Sequence, residues 1–202
     1  MKKSFRLLLL CLLPLSLSGC VTALVGASAF GVMSATDRRS TGAQADDQVM
    51  EVRIQNTALT HLRNNNTMQG FEPKLSVVSF NRQVLLMGLV ASEADKAFVE
   101  RVARAQPNAE KIYNYIQVAT SARGFGEVSN DSWVTSKVRT TLLGTKGVSS
   151  NHVKVVTYNG VTYVMGILTP EEQALVSNTV STTAGVQQVV TLYETFVPSN
   201  VR

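Results

Sequence analysis

Apolar residues recur at four-residue spacing in two stretches of the chain, and an aspartate precedes each stretch. The apolar positions are Met50, Ile54 and Ala58 in the first stretch and Val134, Val138 and Leu142 in the second. This spacing places the apolar side chains on one face of a helix. Because aspartate is a favoured N-cap residue, Asp47 and Asp131 are expected to start two amphipathic helices.

Each predicted helix is followed by two strand-like runs that are separated by two residues. The runs are residues 75–80 and 83–88 in the first half and residues 153–158 and 161–166 in the second. Asn159-Gly160, between the second pair of runs, is a strong signal for a two-residue hairpin. Asn81-Arg82 occupies the same place in the first half and leaves the type of that turn open.

A second helix and a final strand complete each half. Helix starts are indicated at Ser92 and Thr169, and the closing strands are predicted over residues 111–118 and 187–196. The order helix, strand, strand, helix, strand therefore occurs twice, which predicts an α+β fold of two tandem domains. The predicted boundaries are 46–118 and 131–197 for the domains, 119–130 for the connection and 198–202 for the tail.

The two hairpins are apolar at neighbouring as well as alternate positions, as in Val84, Leu85 and Leu86. Strands buried on both faces have this pattern. We therefore expect the second face of each sheet to be covered, either by the other domain or by a partner protein.

The N-terminus has the pattern of an export signal. Lys2, Lys3 and Arg6 precede an apolar run over residues 7–17, which is too short to span a bilayer comfortably. The sequence therefore predicts a signal peptide over residues 1–19 and, in the small and polar residues 20–45, a flexible tether.

The residues around the predicted cleavage site, Leu17-Ser18-Gly19-Cys20, resemble the lipobox of bacterial lipoproteins. The resemblance implies diacylglycerol on the Cys20 thiol and acylation of its amine. Val21 rather than aspartate follows Cys20. In lipoproteins of this type, that choice implies sorting to the outer membrane, facing the periplasm or the cell exterior.

The repeated unit resembles the BON domain. The resemblance rests on the helix stripes, on Gly88 and Gly166 after Leu-Met and Val-Met, and on the opening at residues 130–135, and it covers roughly residues 46–197. It implies a small mixed three-stranded sheet on two helices, with no catalytic centre. Gly88 and Gly166 should occupy equivalent places, where a side chain would collide with a packed helix.

With the lipobox, the chain resembles outer-membrane lipoproteins that carry two BON domains. That resemblance implies binding to phospholipid membranes and a role in outer-membrane integrity, near the machinery that assembles outer-membrane proteins.

The residue types that carry catalysis or bind metals are scarce and scattered. His61 and His152 stand at unrelated positions, and neither has the spacing of a metal ligand. We interpret both as structural, and we expect no enzyme, no cofactor and no metal. The net charge of +5 includes three residues of the predicted signal peptide, so a nucleic-acid binder is not expected.

A candidate binding site lies on the helix that opens the second domain. Val134, Val138, Thr141 and Leu142 are expected to face the core. The opposite face is expected to carry the candidate site: Trp133, Lys137, Thr140 and Leu143, with Ser132, Ser136 and Arg139. Tryptophan, leucine and lysine on one face are typical of a helix that lies on a membrane.

The charges around this helix favour an anionic surface. Residues 132–170 contain no aspartate or glutamate but include Lys137, Arg139, Lys146 and Lys154. The predicted ligand is therefore an anionic phospholipid of the phosphatidylglycerol or cardiolipin type.

Two alternatives stay open. Trp133 aligns with Val49, and both side chains could pack on the other domain or on a strand edge, with the lysines on a merely solvated face. The protein could also be an interaction adaptor for the outer-membrane assembly machinery, with lipid contact incidental.

Overall fold

The computed structural model describes residues 37–119 and 128–198. The predicted signal peptide, Cys20 and most of the predicted tether lie outside these residues. Within the described part of the chain, no helix combines the length and the apolar character needed to cross a membrane.

The described residues form the predicted element order twice. The first domain contains α1 (Thr41–Asn64), β1 (Lys74–Phe80), β2 (Gln83–Val90), α2 (Glu93–Arg104) and β3 (Lys111–Val118). The second contains α3 (Val128–Leu143), β4 (Val153–Tyr158), β5 (Val161–Leu168), α4 (Pro170–Ser181) and β6 (Gln188–Thr195), with a 3-10 turn at Ser150–His152. The predicted α+β fold is confirmed.

Both first helices begin earlier than predicted. Helix α1 starts at Thr41, inside the stretch predicted as tether, and its N-cap is Ser40, whose hydroxyl accepts from the Ala43 N–H at 3.1 Å. Helix α3 starts at Val128, inside the predicted connection. The prediction of Asp47 and Asp131 as N-caps is wrong because both lie within their helices.

Each domain has one mixed sheet with the same pairing. The first strand pairs with the second antiparallel, and the second pairs with the third parallel. The hairpin residues Asn81 and Arg82 have φ of 51° and 63°, and Asn159 and Gly160 have 51° and 76°. Positive φ at both central residues is the type I′ geometry that fits the strand twist. The first turn therefore has the same form as the Asn-Gly turn.

Gly88 and Gly166 occupy equivalent places in β2 and β5, opposite Leu75 and Val153. A Cβ on Gly88 would lie 2.3 Å from the Lys74 carbonyl oxygen, and one on Gly166 would lie 2.9 Å from that of His152. The expected collision with a packed helix is therefore wrong, since the backbone at the start of the neighbouring strand occupies that space.

Successive side chains of each strand point to opposite faces of its sheet, so the interior has three layers: one core between sheet and helices in each domain, and one between the two sheets. In β2, Val84 and Leu86 face the helices of the first domain, whereas Leu85 and Met87 face the other way. Leu85 and Met87 share a cluster with Tyr163 and Met165 of β5. The second face of each sheet is thus covered by the other domain, which resolves the alternative that the hairpins left open.

Candidate functional site

The outer face of α3 exposes two large apolar side chains. Trp133 is 54% exposed and Leu143 is 68% exposed, whereas Val134, Val138 and Leu142 are buried in the second domain's core. The prediction that Trp133 faces away from the core is confirmed.

Thr141 was expected on the core side, but it is exposed and its hydroxyl donates to the Lys137 carbonyl at 3.0 Å. The sheet contacts the other flank of the helix, where the Thr135 hydroxyl accepts from the Thr157 N–H at 2.8 Å. The buried stripe is therefore rotated toward Thr135.

Contacts on two sides hold the Trp133 ring. The Lys137 ammonium nitrogen lies 4.5 Å from the ring centroid, a cation–π contact. The ring also lies over Gly185 in the α4–β6 loop, where an added Cβ would come within 2.8 Å of Cζ3. Gly185 has φ of 101°, so glycine satisfies both the backbone and the close approach of the ring. Gly185 was not predicted as a site residue, because its role depends on contact with Trp133, which is distant in the sequence.

The hydroxyl groups on this face bond to the helix itself. Ser136 donates to the Ser132 carbonyl and Thr140 donates to the Ser136 carbonyl, each at 2.9 Å. Such back-bonding satisfies the hydroxyl donors locally. The exposed hydroxyl groups of Ser136 and Thr140 therefore add little unpaired polarity beside Trp133 and Leu143.

The structure separates two of the basic side chains from the candidate site. Arg139 donates to the Val155 carbonyl of β4 at 2.7 and 3.2 Å, on the sheet side of the helix. Lys154 donates to Glu51 of α1 at 2.5 Å and to the Ser79 carbonyl at 3.0 Å. The expected basic window is therefore not one patch, because Lys154 is committed to the contact between domains.

Asp47 and Asp131 bind the hairpin turns. Asp131 accepts from the N–H groups of Asn159 and Gly160 at 2.6 and 3.0 Å. Asp47 accepts from those of the first turn at 2.8 and 2.7 Å, and from the Ser79 hydroxyl at 2.8 Å. The sequence contained a signal for this role. Aspartate is a poor helix former, yet it occurs at the aligned position of both helices.

The two histidines are half-buried, consistent with a structural role. His61 stacks on Phe98 with ring centroids 3.6 Å apart, and His152 Nδ1 lies 4.0 Å from the Glu172 carboxylate. Among the described residues, no three His, Cys, Asp or Glu side chains are grouped closely enough to hold a metal ion.

Comparison with known proteins gives a family for both halves. The family model for the BON domain matches residues 51–120 and 130–192. The chain is 29% identical over 178 residues to "Outer membrane lipoprotein DolP" of Haemophilus influenzae, covering 88% of this chain and 89% of that protein. It is also 29% identical over 154 residues to the "21 kDa hemolysin" of Actinobacillus pleuropneumoniae, covering 76% of each.

Solved structures give a weaker likeness. The type III secretion protein CdsD of Chlamydia trachomatis is 16% identical with a TM-score of 0.29, covering 73% of this chain and 63% of that one.

Proposed function

This chain belongs to the BON-domain family, and from that premise we propose that it is a non-enzymatic outer-membrane lipoprotein that binds anionic phospholipid through its second domain. Acyl chains on Cys20 anchor it, and it faces the periplasm. Its role is to support the integrity of the outer membrane. The relative named as an outer membrane lipoprotein, matched along most of both chains, supports the location.

The observation that carries the lipid-binding proposal is the outer face of α3. Trp133 and Leu143 are more than half exposed on one side of the helix, and Lys137 contacts the Trp133 ring. Tryptophan favours the headgroup level of a bilayer, and a lysine beside it gains from an anionic surface. No aspartate or glutamate follows Asp131 in the sequence of α3, and Asp131 binds the Asn159-Gly160 turn.

A protein-interaction adaptor is the second candidate, with the outer-membrane protein assembly machinery as its partner. Val49 and Val52 of α1 are 44% and 59% exposed and form a small apolar surface on the first domain. In this alternative, α1 and α3 both bind protein and lipid contact is incidental.

Vesicle binding separates the two candidates. The unit Asp37–Arg202, which lacks Cys20, should bind phosphatidylglycerol or cardiolipin vesicles more tightly than phosphatidylcholine vesicles. Added salt should weaken the binding, since surface charges are screened within about 10 Å at 0.1 M. Trp133 is the chain's single tryptophan, so a blue shift of its fluorescence reports entry into the headgroup region directly.

The matched variants are Trp133→Glu and Val49→Glu, which change aligned and exposed positions of the two first helices. Lipid binding through α3 predicts that Trp133→Glu abolishes vesicle binding and that Val49→Glu leaves it unchanged. Equal binding by a folded Trp133→Glu variant would instead favour the adaptor.

The anchor has a separate test. Cys20→Ala should abolish incorporation of labelled fatty acid, because Cys11 lies within the predicted signal peptide and the sequence has no third cysteine. Persistent labelling of that variant would contradict acylation at Cys20.

A further inference from the structure

Two consecutive arginines just before α1 bind different domains. The Arg38 guanidinium donates to both carboxylate oxygens of Glu172 at 2.5 and 3.0 Å and to the Ile167 carbonyl at 2.8 Å. It also lies 4.1 Å from the centroid of the Phe196 ring. All three partners belong to the second domain.

Arg39 makes the corresponding contacts with the first domain. Its guanidinium donates to Asp47 at 3.0 Å and lies 4.2 Å from the centroid of the Phe80 ring. Asp37 accepts from the same guanidinium at 2.8 Å and holds it in place. Residues 37–40, here called the Arg clasp, therefore connect the two domains through neighbouring side chains.

The two rings under the arginines belong to the core that the domains share. Phe80 is buried in that core and Phe196 packs against it. The Arg clasp thus covers one end of the layer between the sheets. The side chains of Arg38 and Arg39 are only 15% and 17% exposed, so solvent screens their carboxylate contacts less than it would at the open surface.

Apolar packing between the sheets is non-directional and resists separation more than rotation. A planar guanidinium that binds a carboxylate through two nitrogens while stacking on a ring is directional. Other polar contacts also cross the boundary, from Asn81 to Glu194 at 3.0 Å, from Lys154 to Glu51 at 2.5 Å and to the Ser79 carbonyl at 3.0 Å, and from Asn159 to Gln117 at 3.4 Å. Compared with the Glu172 pair, the Lys154–Glu51 pair is more exposed, at 32% and 27%.

We propose that the Arg clasp locks the two BON domains in one relative orientation. Arg38 and Arg39 are joined by a single peptide bond. The Arg clasp therefore fixes the orientation only when Arg38 is bound to the second domain and Arg39 is bound to the first. Loss of either arginine should therefore have the same effect on the orientation as loss of both, a non-additivity that independent contacts do not give.

Pulsed electron spin resonance on the full chain tests this. Cys11 and Cys20 are changed to serine, and spin labels are placed at Ala97→Cys and Ala174→Cys, equivalent exposed positions on α2 and α4. With the Arg clasp unaltered, the distance between the two spin labels should have a narrow distribution. Arg38→Ala, Arg39→Ala and the double variant should each broaden or shift it by a similar amount.

Two controls accompany the measurement. Arg63→Ala removes an ion pair with Glu72 whose side chains are 56% and 68% exposed, and it should leave the distribution unchanged. A label pair within the first domain, Asn56→Cys with Ala97→Cys, should be insensitive to every clasp variant.

An unchanged distance distribution in folded Arg38→Ala would overturn the proposal, as would additive effects of the two arginines. Should Arg39→Ala fail to fold because Asp47 loses its partner, Arg38→Ala decides the question alone.

Discussion

The two domains use the same aspartate for the same turn but in different surroundings. Asp131 is half-buried and binds a turn whose second residue is Gly160. Asp47 is 2% exposed, binds a turn whose second residue is Arg82, and also contacts Ser79 and Arg39. Left-handed backbone is strained for an arginine and not for a glycine. Asp47, the more deeply buried aspartate, thus stabilises the Asn81-Arg82 turn, whose residues adopt the left-handed backbone less readily than Asn159-Gly160.

The first helices differ at one aligned position on the flank that contacts the sheet. Glu51 of α1 accepts from the Ser79 N–H at 2.6 Å, as Thr135 of α3 accepts from the Thr157 N–H at 2.8 Å. Glu51 also binds Lys154 of the other domain. The uncharged Thr135 cannot form such an ion pair, so this position of α3 makes no ionic contact with the first domain. The same frame therefore gives α1 an ionic contact with the other domain at a position where the bond made by α3 stays within its own domain.

The largest difference in stability between matched variants of the two domains should appear when Asp47 and Asp131 are replaced. Asp47→Ala leaves Arg39, Ser79 and two turn N–H groups without their buried acceptor, and should lower the free energy of unfolding by about 3–5 kcal/mol. Asp131→Ala should cost about 1–2 kcal/mol, since its turn has a glycine and lies nearer solvent. Denaturant unfolding of both variants measures this, and equal losses would contradict the distinction between the domains.

Replacing the equivalent glycines of β2 and β5 should give the next largest difference in stability. Gly88→Ala would force a Cβ to 2.3 Å from a backbone oxygen, whereas the Cβ of Gly166→Ala would lie 2.9 Å from one and 3.1 Å from the Leu168 side chain. We expect a loss of about 3 kcal/mol or more for Gly88→Ala and about 1–2 kcal/mol for Gly166→Ala. Thermal melts should rank the two, and the reverse order would show that β1 yields more easily than β4.

Local patterns were sufficient to predict the repeat. Four-residue apolar spacing and the hairpin runs are dictated by which side of a helix or strand is buried, so the elements and their order could be predicted. The exposure of Trp133 and Leu143 followed from the same helical geometry.

Partners distant in sequence account for what could not be predicted. Asp47 looked like an N-cap, but its partners Asn81 and Arg82 lie 34 and 35 residues away. Lys154 looked like part of a basic surface, but it binds Glu51, 103 residues away. Arg38 looked like part of a tether, but it binds Glu172, 134 residues away. In each case a charged side chain satisfied a local rule and had a non-local partner.

Replacing the aligned leucines near the ends of α1 and α3 should give a modest difference in stability. Leu59 packs against the core of the first domain, whereas its equivalent Leu143 is 68% exposed. Leu59→Ala should cost about 1–2 kcal/mol, and Leu143→Ala should change stability by no more than about 0.5 kcal/mol. Under the proposed function, Leu143→Ala should nonetheless weaken binding to anionic vesicles. A Leu143→Ala variant that loses stability and keeps its vesicle binding would mean that this leucine is structural.

The smallest effect concerns acid and the ion pair between Arg38 and Glu172. Burial alone would raise the pKa of Glu172, but hydrogen bonds from Arg38 and from the Thr169 backbone N–H outweigh it and lower that pKa. A carboxylate whose pKa is lowered on folding contributes stability above its unfolded pKa, and that contribution is lost as the pH falls through the folded value. Stability should therefore decline below about pH 4, the ordinary range of a glutamate.

Arg38→Ala should reduce this acid-dependent loss by about 0.5–1 kcal/mol, because the arginine is part of the reason that Glu172 stays ionised. Arg63→Ala removes one positive charge at an exposed pair and should leave the loss as it was. Urea unfolding at pH 7 and pH 3 compares the two variants with the unaltered chain. If Arg38→Ala and the unaltered chain lose the same stability between these pH values, the contact between Arg38 and Glu172 does not control the titration of this carboxylate.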